Sequence, residues 1–131
     1  MTTIFSKIAT REIPAHIVAE SDDYIAFLDV NPLVEGHVLV IPKKEVDYIF
    51  DLDEALYLGL MTFAKIVAEG MKSVLICKRI GVAVIGLEVP HTHIHLVPLN
   101  QIGDINFSRE KLSPTEEELT ATAQKIRAAI L

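Results

Sequence analysis

Three of the chain's five histidines stand at His91, His93 and His95, within the stretch VPHTHIHLVPL. In a strand, alternate residues point to one face. A strand here would therefore set the three rings in a row, roughly 7 Å apart at the backbone, with Thr92, Ile94 and Leu96 on the other face. Three imidazoles so placed have three uses. They can be polar residues of aromatic size on a half-exposed face. They can ligate a zinc, copper or nickel ion, with Glu88 or His37 as a further donor. Or one ring can attack phosphorus and form a phosphohistidine that water then resolves, while its neighbours fix its tautomer and donate hydrogen bonds to the phosphoryl oxygens. That last chemistry needs one oriented nucleophile between donors at fixed distance, and a strand row supplies it.

The elements that would position this row follow from pattern and punctuation. Ile4, Phe5 and Ile8 have near-helical spacing and predict a short helix that ends before Pro14. HIVAES (16–21) and YIAFLDV (24–30), split by a turn-like DD, predict a hairpin. NPLVEG (31–36) reads as a loop and HVLVIP (37–42) as a third strand. Asp51 with Glu54 forms a capping-box-like start for a long helix. Its apolar stripe runs through Leu56, Leu60, Phe63, Val67, Met71 and Val74, and Gly70 weakens its last turns. RIGVAVIG (79–86) reads as a fourth strand buried on both faces, LEVP as a turn and THIHLVPL as a fifth strand. NQIGDINFSREKL is irregular. Ser113 as cap, Pro114 in the first turn and Glu116 then start a terminal helix over about 114–130, with Leu119, Ala123, Ile126 and Ile130 as its stripe. The predicted class is α+β: a five-stranded, mainly antiparallel sheet with a long helix packed on it and an additional C-terminal helix.

Composition narrows the function. The 131 residues suit one domain over 1–131, half hydrophobic and 23% charged. A net charge of −6 argues against a broad grip on nucleic acid. The single Cys77 permits no internal disulfide and no zinc-finger spacing. No run approaches the ~18 apolar residues of a membrane span, and the first residues lack a signal-peptide core. The expectation is a soluble cytoplasmic protein without nucleic-acid or membrane partners.

Two stretches carry a family resemblance. HTHIHLVP resembles the His-φ-His-φ-His-φ-φ signature of the histidine triad family, with Thr92 in a usually apolar slot. IFSKIATREIPAHIVAESDDYIAFLDVNPLVEGHVLVIPKK resembles that family's amino-terminal half nearly position by position. Together they span roughly residues 3–99, which makes 1–99 the family core and 100–131 an extension. The resemblance implies a nucleotide-binding homodimer whose two sheets join into one. It implies a hydrolase or transferase that cleaves at the α-phosphate of a purine nucleotide conjugate, commonly releasing AMP, with no cofactor required. The conjugates are phosphoramidates, dinucleoside polyphosphates or acyl-nucleotides.

By the same resemblance His93 is the nucleophile, His95 contacts the phosphate, His91 orients the active ring and His37 completes the site. Asp29 matches the carboxylate that accepts hydrogen bonds from the ribose hydroxyls. Ile4, Phe5, Ile8, Phe27, Leu28 and Val30 match the apolar pocket around the base, with Phe5, Phe27 and Val30 foremost. His16 matches no role and reads as a solvated strand residue, and Lys43 and Lys44 as exposed strand-end charges.

The chain departs from the family before the triad. Ile85 stands where many members carry Asn, and the loop GLEVP is several residues shorter and lacks the family's Gln and Ser/Thr donors. Glu88 and Val89 stand there instead, Arg109 and Lys111 are the nearby candidates to restore positive charge, and Glu45 replaces a histidine often found after the paired lysines. Missing donors weaken transition-state stabilisation. A catalytically weak nucleotide-binding module is therefore one alternative, and a metal-binding protein using the histidine row is another.

Overall fold

The structure, a computed structural model, describes residues 2–130; the two end residues of the expected 1–131 domain lie outside it. In chain order the elements are α1 (Ile4–Ala9), β1 (Ile17–Glu20), β2 (Tyr24–Leu28), β3 (Val38–Pro42), a 3-10 turn (Ile49–Asp51), α2 (Glu54–Val74), β4 (Arg79–Ala83), β5 (Ile94–Leu99), a second 3-10 turn (Ile102–Ile105) and α3 (Glu116–Ile130). The strands form one sheet in the order β1-β2-β3-β5-β4, and every neighbouring pair is antiparallel. This is the α+β architecture the sequence predicts. Among the described residues no helix is long and apolar enough to cross a membrane.

The sheet buries both faces over most of its width. Ala26, Leu28, Val38, Val40, Ile94 and Leu96 pack against Leu60, Val67 and Met71 of α2 and Leu119, Ala123 and Ile126 of α3. Ile25, Phe27, Leu39 and Ile41 face the other way and meet Phe5 and Ile8 of α1. Leu39 pairs with Phe27 on one side and His95 on the other, so the histidine face is the α1 face. Burying such side chains stabilises by about 1.5–3 kcal/mol each, which is what holds α1, only six residues long, in place.

Several expectations are corrected. β5 begins at Ile94 rather than Thr92, because the Thr92 N–H and hydroxyl both donate to the Val46 carbonyl, each at 2.7 Å, and pull the chain out of the ladder. His91 and His93 therefore precede the strand. β4 is not buried on both faces: it is one of the sheet's two edges, and Val82 is 57% exposed. Asp53, not Asp51, caps α2 by accepting from the Leu56 N–H, because Asp51 belongs to the preceding 3-10 turn. Thr115, not Ser113, caps α3 in a reciprocal pair with Glu118. His16 is half-buried rather than solvated, with Nε2 3.1 Å from Glu116 Oε2. Lys43 lies 2.7 Å from Glu20 rather than free at a strand end. Gly70 has a use: a Cβ there would lie 2.5 Å from Ile130, so its absence lets the end of α3 close on α2.

Candidate active site

The three histidines do not form a uniform row, and their partners assign each a different task. His91 is fully buried. Its Nε2 lies 2.8 Å from the Pro42 carbonyl oxygen, which only accepts, so Nε2 carries the proton and Nδ1 the lone pair. The Thr3 hydroxyl donates to that Nδ1 at 2.9 Å. Thr3 in turn caps α1 by accepting from the Ser6 N–H. Glu45 Oε1 closes the group, accepting from the Thr3 N–H at 2.8 Å and the Ser6 hydroxyl at 2.7 Å. These bonds, first the one from Thr3, hold the Glu45 carboxyl below its usual range. Burial lowers the His91 pKa, which favours the neutral ring that this pattern requires.

His93 Nδ1 lies 2.7 Å from the His91 carbonyl oxygen. A carbonyl cannot donate, so Nδ1 is protonated, and in the neutral ring the lone pair is on Nε2. The ring is flanked by Phe5, with centroids 4.9 Å apart, and by His95, at 5.0 Å.

His95 is set by a second relay. The Leu33 N–H donates to His37 Nδ1 at 3.1 Å. His37 must then carry its proton on Nε2, 3.0 Å from His95 Nδ1. His95 therefore accepts at Nδ1 and has its own N–H at Nε2, as a donor. Desolvation pushes His37 down to about 4, with Lys111 adding to it, and His95 down to about 3, with His37, His93 and Lys111 adding to it. Both rings are neutral at pH 7. In the neutral His93 ring, the Nε2 lone pair thus stands beside a neutral N–H donor.

Asp29 follows β2, and its Oδ2 is 3.9 Å from His37 Nε2. Burial raises its pKa, opposed by the Asn31 N–H that donates to Oδ1 at 2.9 Å. In front of these groups opens a cleft of about 770 Å³, within the size range of small-molecule sites. His37, His93, His95, Asp29, Ile4 and Phe5 line it. His91 stands behind it.

The rest of the expected base pocket is placed elsewhere. Ile8 and Phe27 are buried beneath Phe5 and do not reach the cleft. Leu28 points to the α2–α3 face, since neighbouring strand residues alternate, and lines a separate cavity of about 270 Å³ beside α3. Val30 is half-exposed and does not line the cleft.

The cleft also has walls that the family pattern does not mark. Leu39 forms its floor next to His95, with Asn31 beside the Asp29 carboxylate. Residues Ile85 to Val89 form one wall, and Phe107, Arg109 and Lys111 another. Leu39 is findable from strand pairing; Phe107 lies in a segment without periodicity and had no signal. Among the described residues, no three His, Cys, Asp or Glu side chains are grouped so as to hold a metal ion.

Comparison with known proteins gives a consistent picture. The HIT domain family model matches residues 10–102. An uncharacterised HIT-like protein of Borreliella burgdorferi is 32% identical over 132 residues, covering 94% of each chain. Adenosine 5'-monophosphoramidase HNT1 of Saccharomyces cerevisiae is 36% identical over 97 residues, 72% of this chain and 61% of its own length. The crystal structure of a Hit-like protein from Bartonella henselae superposes with a TM-score of 0.84 at 32% identity, covering 98% of this chain and 96% of that one.

Proposed function

The chain belongs to the histidine triad family, and on that premise we propose that it is a nucleotide hydrolase or transferase acting at the α-phosphate of a purine nucleotide conjugate through a covalent nucleotidyl-His93 intermediate. One observation carries this reading: His93 Nδ1–H donates to the His91 carbonyl, which in the neutral ring leaves the Nε2 lone pair beside the His95 ring. In the first step Nε2 forms a bond to phosphorus and the bond to the leaving group breaks with its electron pair. The leaving group takes a proton from water. His95 Nε2–H donates to a phosphoryl oxygen as charge builds. In the second step water attacks the same phosphorus, the P–N electrons return to His93, and the nucleoside monophosphate leaves with release of one proton. No cofactor is needed. Asp29 serves the ribose hydroxyls, and Ile4 and Phe5 the base.

The yeast relative's monophosphoramidase activity supports an amine leaving group and AMP as product. The unpaired β4 edge, with Val82, Val84 and Ile85 exposed, supports a homodimer formed along it. A second reading has its own observation. The wall from Ile85 to Val89 brings apolar side chains and Glu88 to the cleft and no neutral polar side chain, which favours a nucleotide-binding module with weak catalysis.

Intact-protein mass spectrometry after brief mixing with an adenosine phosphoramidate separates the two. An added AMP that maps to His93, and that His93→Ala abolishes, is the expected result. Nucleotide binding by calorimetry with no adduct would replace the hydrolase with the binding module.

A further inference from the structure

The segment between β5 and α3 ties down the two stretches of backbone that deliver His37 and His95. We propose that Phe107 and Arg109 are positioning residues, which hold the His37–His95 pair in one hydrogen-bonded arrangement and make this segment part of the active site. The inference rests on the proposed nucleotidyl transfer for its effect on rate alone; the geometry is independent of it.

Arg109 carries the argument. Its guanidinium donates to the Leu33 carbonyl and, at 2.9 Å, to the Gly103 carbonyl, and lies 3.7 Å from Asp104. Leu33 is fully buried, and its own N–H is the donor that forces the His37 proton onto Nε2. Asp104 accepts from the N–H groups of Asn100 and Gln101, the residues that follow β5. One side chain thus clamps the loop that presents His37 to the turn that ends the strand carrying His95. The Leu112 N–H adds a second tie, donating to the Pro32 carbonyl at 2.9 Å.

Phe107 covers the pair. Its ring centroid lies 4.7 Å from that of His95 and 6.3 Å from that of His37, edge-on to both. It therefore holds water away from two rings whose neutral state follows from desolvation. The other charged or titratable groups that face the pair are Asp29 after β2, His93 before β5 and Lys111 on the segment itself, with Glu88 acting on Asp29 across the cleft. Lys111 and His93 disfavour a charged pair; Asp29 favours one. Phe107 and Arg109 set how much water and how much freedom the pair has.

The test is imidazole nitrogen NMR of the full chain, without substrate, from about pH 7.5 to about pH 4.5. In the native protein both rings are neutral down to about pH 5, each in a single tautomer with the proton on Nε2, and only His37 begins to titrate at the acid end. Phe107→Ala raises their titration by about one pH unit or more, while Phe107→Leu, which keeps the cover, leaves it in place. Arg109→Gln cannot span from Leu33 to Asp104, and yields a mixture of tautomers at His37. The corresponding kinetics show kcat falling about tenfold in Arg109→Gln with KM nearly unchanged, and the acid limb of kcat moving toward neutral pH in Phe107→Ala. Native-like titration in a folded Phe107→Ala protein, or an unchanged single tautomer in Arg109→Gln, overturns the proposal. Should Phe107→Ala fail to fold, the Arg109→Gln spectrum decides alone. An AMP adduct on His93 in the native protein is read separately, so failure of the positioning and failure of the nucleotidyl transfer are told apart.

Discussion

His37 and His95, 58 positions apart in the chain, share one hydrogen bond: Nε2 of His37 lies 3.0 Å from Nδ1 of His95. The bond uses a lone pair on His95 that protonation would remove, and the Leu33 N–H takes up the Nδ1 lone pair of His37, so the arrangement requires both rings neutral. Folding therefore takes two groups of ordinary pKa about 6.5 and keeps them uncharged.

This arrangement makes stability depend on pH in a definite direction. Both folded pKa values are depressed, His37 to about 4 and His95 to about 3. The unfolded chain then binds more protons than the native one between about pH 6.5 and pH 4, so stability is complete above that window and is lost as pH falls through it. From pH 6.5 to pH 5 the loss is about 1.5 kcal/mol for each ring. Asp29, whose pKa burial raises, opposes this, since its neutral form is the one favoured in the fold. Urea denaturation at the two pH values measures the difference, and a flat profile would refute the neutral pair.

Glu45 supports the other relay. Its Oε1 accepts from the backbone of Thr3 and the hydroxyl of Ser6, and Thr3 donates to His91. Glu45→Ala leaves those donors to water and loosens α1; Glu45→Gln keeps an oxygen acceptor in the same place. The expected order of melting temperature is native, then Gln, then Ala, with amide exchange in α1 rising in the same order. Equal behaviour of the Ala and Gln variants would show that the acceptor at this position is idle.

The sequence makes the strands, the long helix and the histidine triad itself legible, because alternation, 3.6-residue stripes and three imidazoles are local patterns. What it leaves ambiguous are choices settled by distant partners. The alternation at His91, His93 and His95 suggests one strand, and nothing local reveals that Val46 captures Thr92 and delays β5 to Ile94. Asp51 and Asp53 are both capping residue types, Ser113 and Thr115 both stand three residues before a Glu, and the fold uses the second of each. The apolar run of β4 has the composition of a central strand and the position of an edge. Phe107 and Arg109 lie where no periodicity exists, and only the folded chain brings them to histidines that precede them.

Lys111 lines the cleft and, among the described residues, forms no ion pair. Its charge reaches Asp29, His37 and His95. A free ammonium beside a transferring phosphoryl group stabilises the charge there. Lys111→Ala is expected to lower kcat/KM about tenfold at low salt and less in about 0.5 M salt, where screening weakens the interaction already. Lys111→Arg should retain most of the activity. A loss in Lys111→Ala that does not change with salt would assign Lys111 a packing role instead.

Gly36 immediately precedes His37 and has φ +89°, a left-handed conformation that glycine adopts freely and a residue with a Cβ does not. A Cβ there would also lie 2.6 Å from Leu75 Cδ1 at the end of α2. Gly86, in the cleft wall, shares the left-handed φ at +70° but has nothing within 4 Å of its Cβ position. The two positions therefore separate backbone strain from steric conflict. Gly86→Ala is expected to cost about 1–2 kcal/mol, the conformational penalty alone. Gly36→Ala adds the contact and costs about 2–5 kcal/mol, by the sum of that penalty and overpacking. Because relief of the Leu75 contact displaces the residue next to His37, Gly36→Ala also disturbs the His37–His95 bond. In a double-mutant cycle, Gly36→Ala should cost less in a Leu75→Ala background, where the contact is gone, than in the native chain. Equal costs for Gly36→Ala and Gly86→Ala in urea denaturation would show that the Leu75 contact contributes nothing.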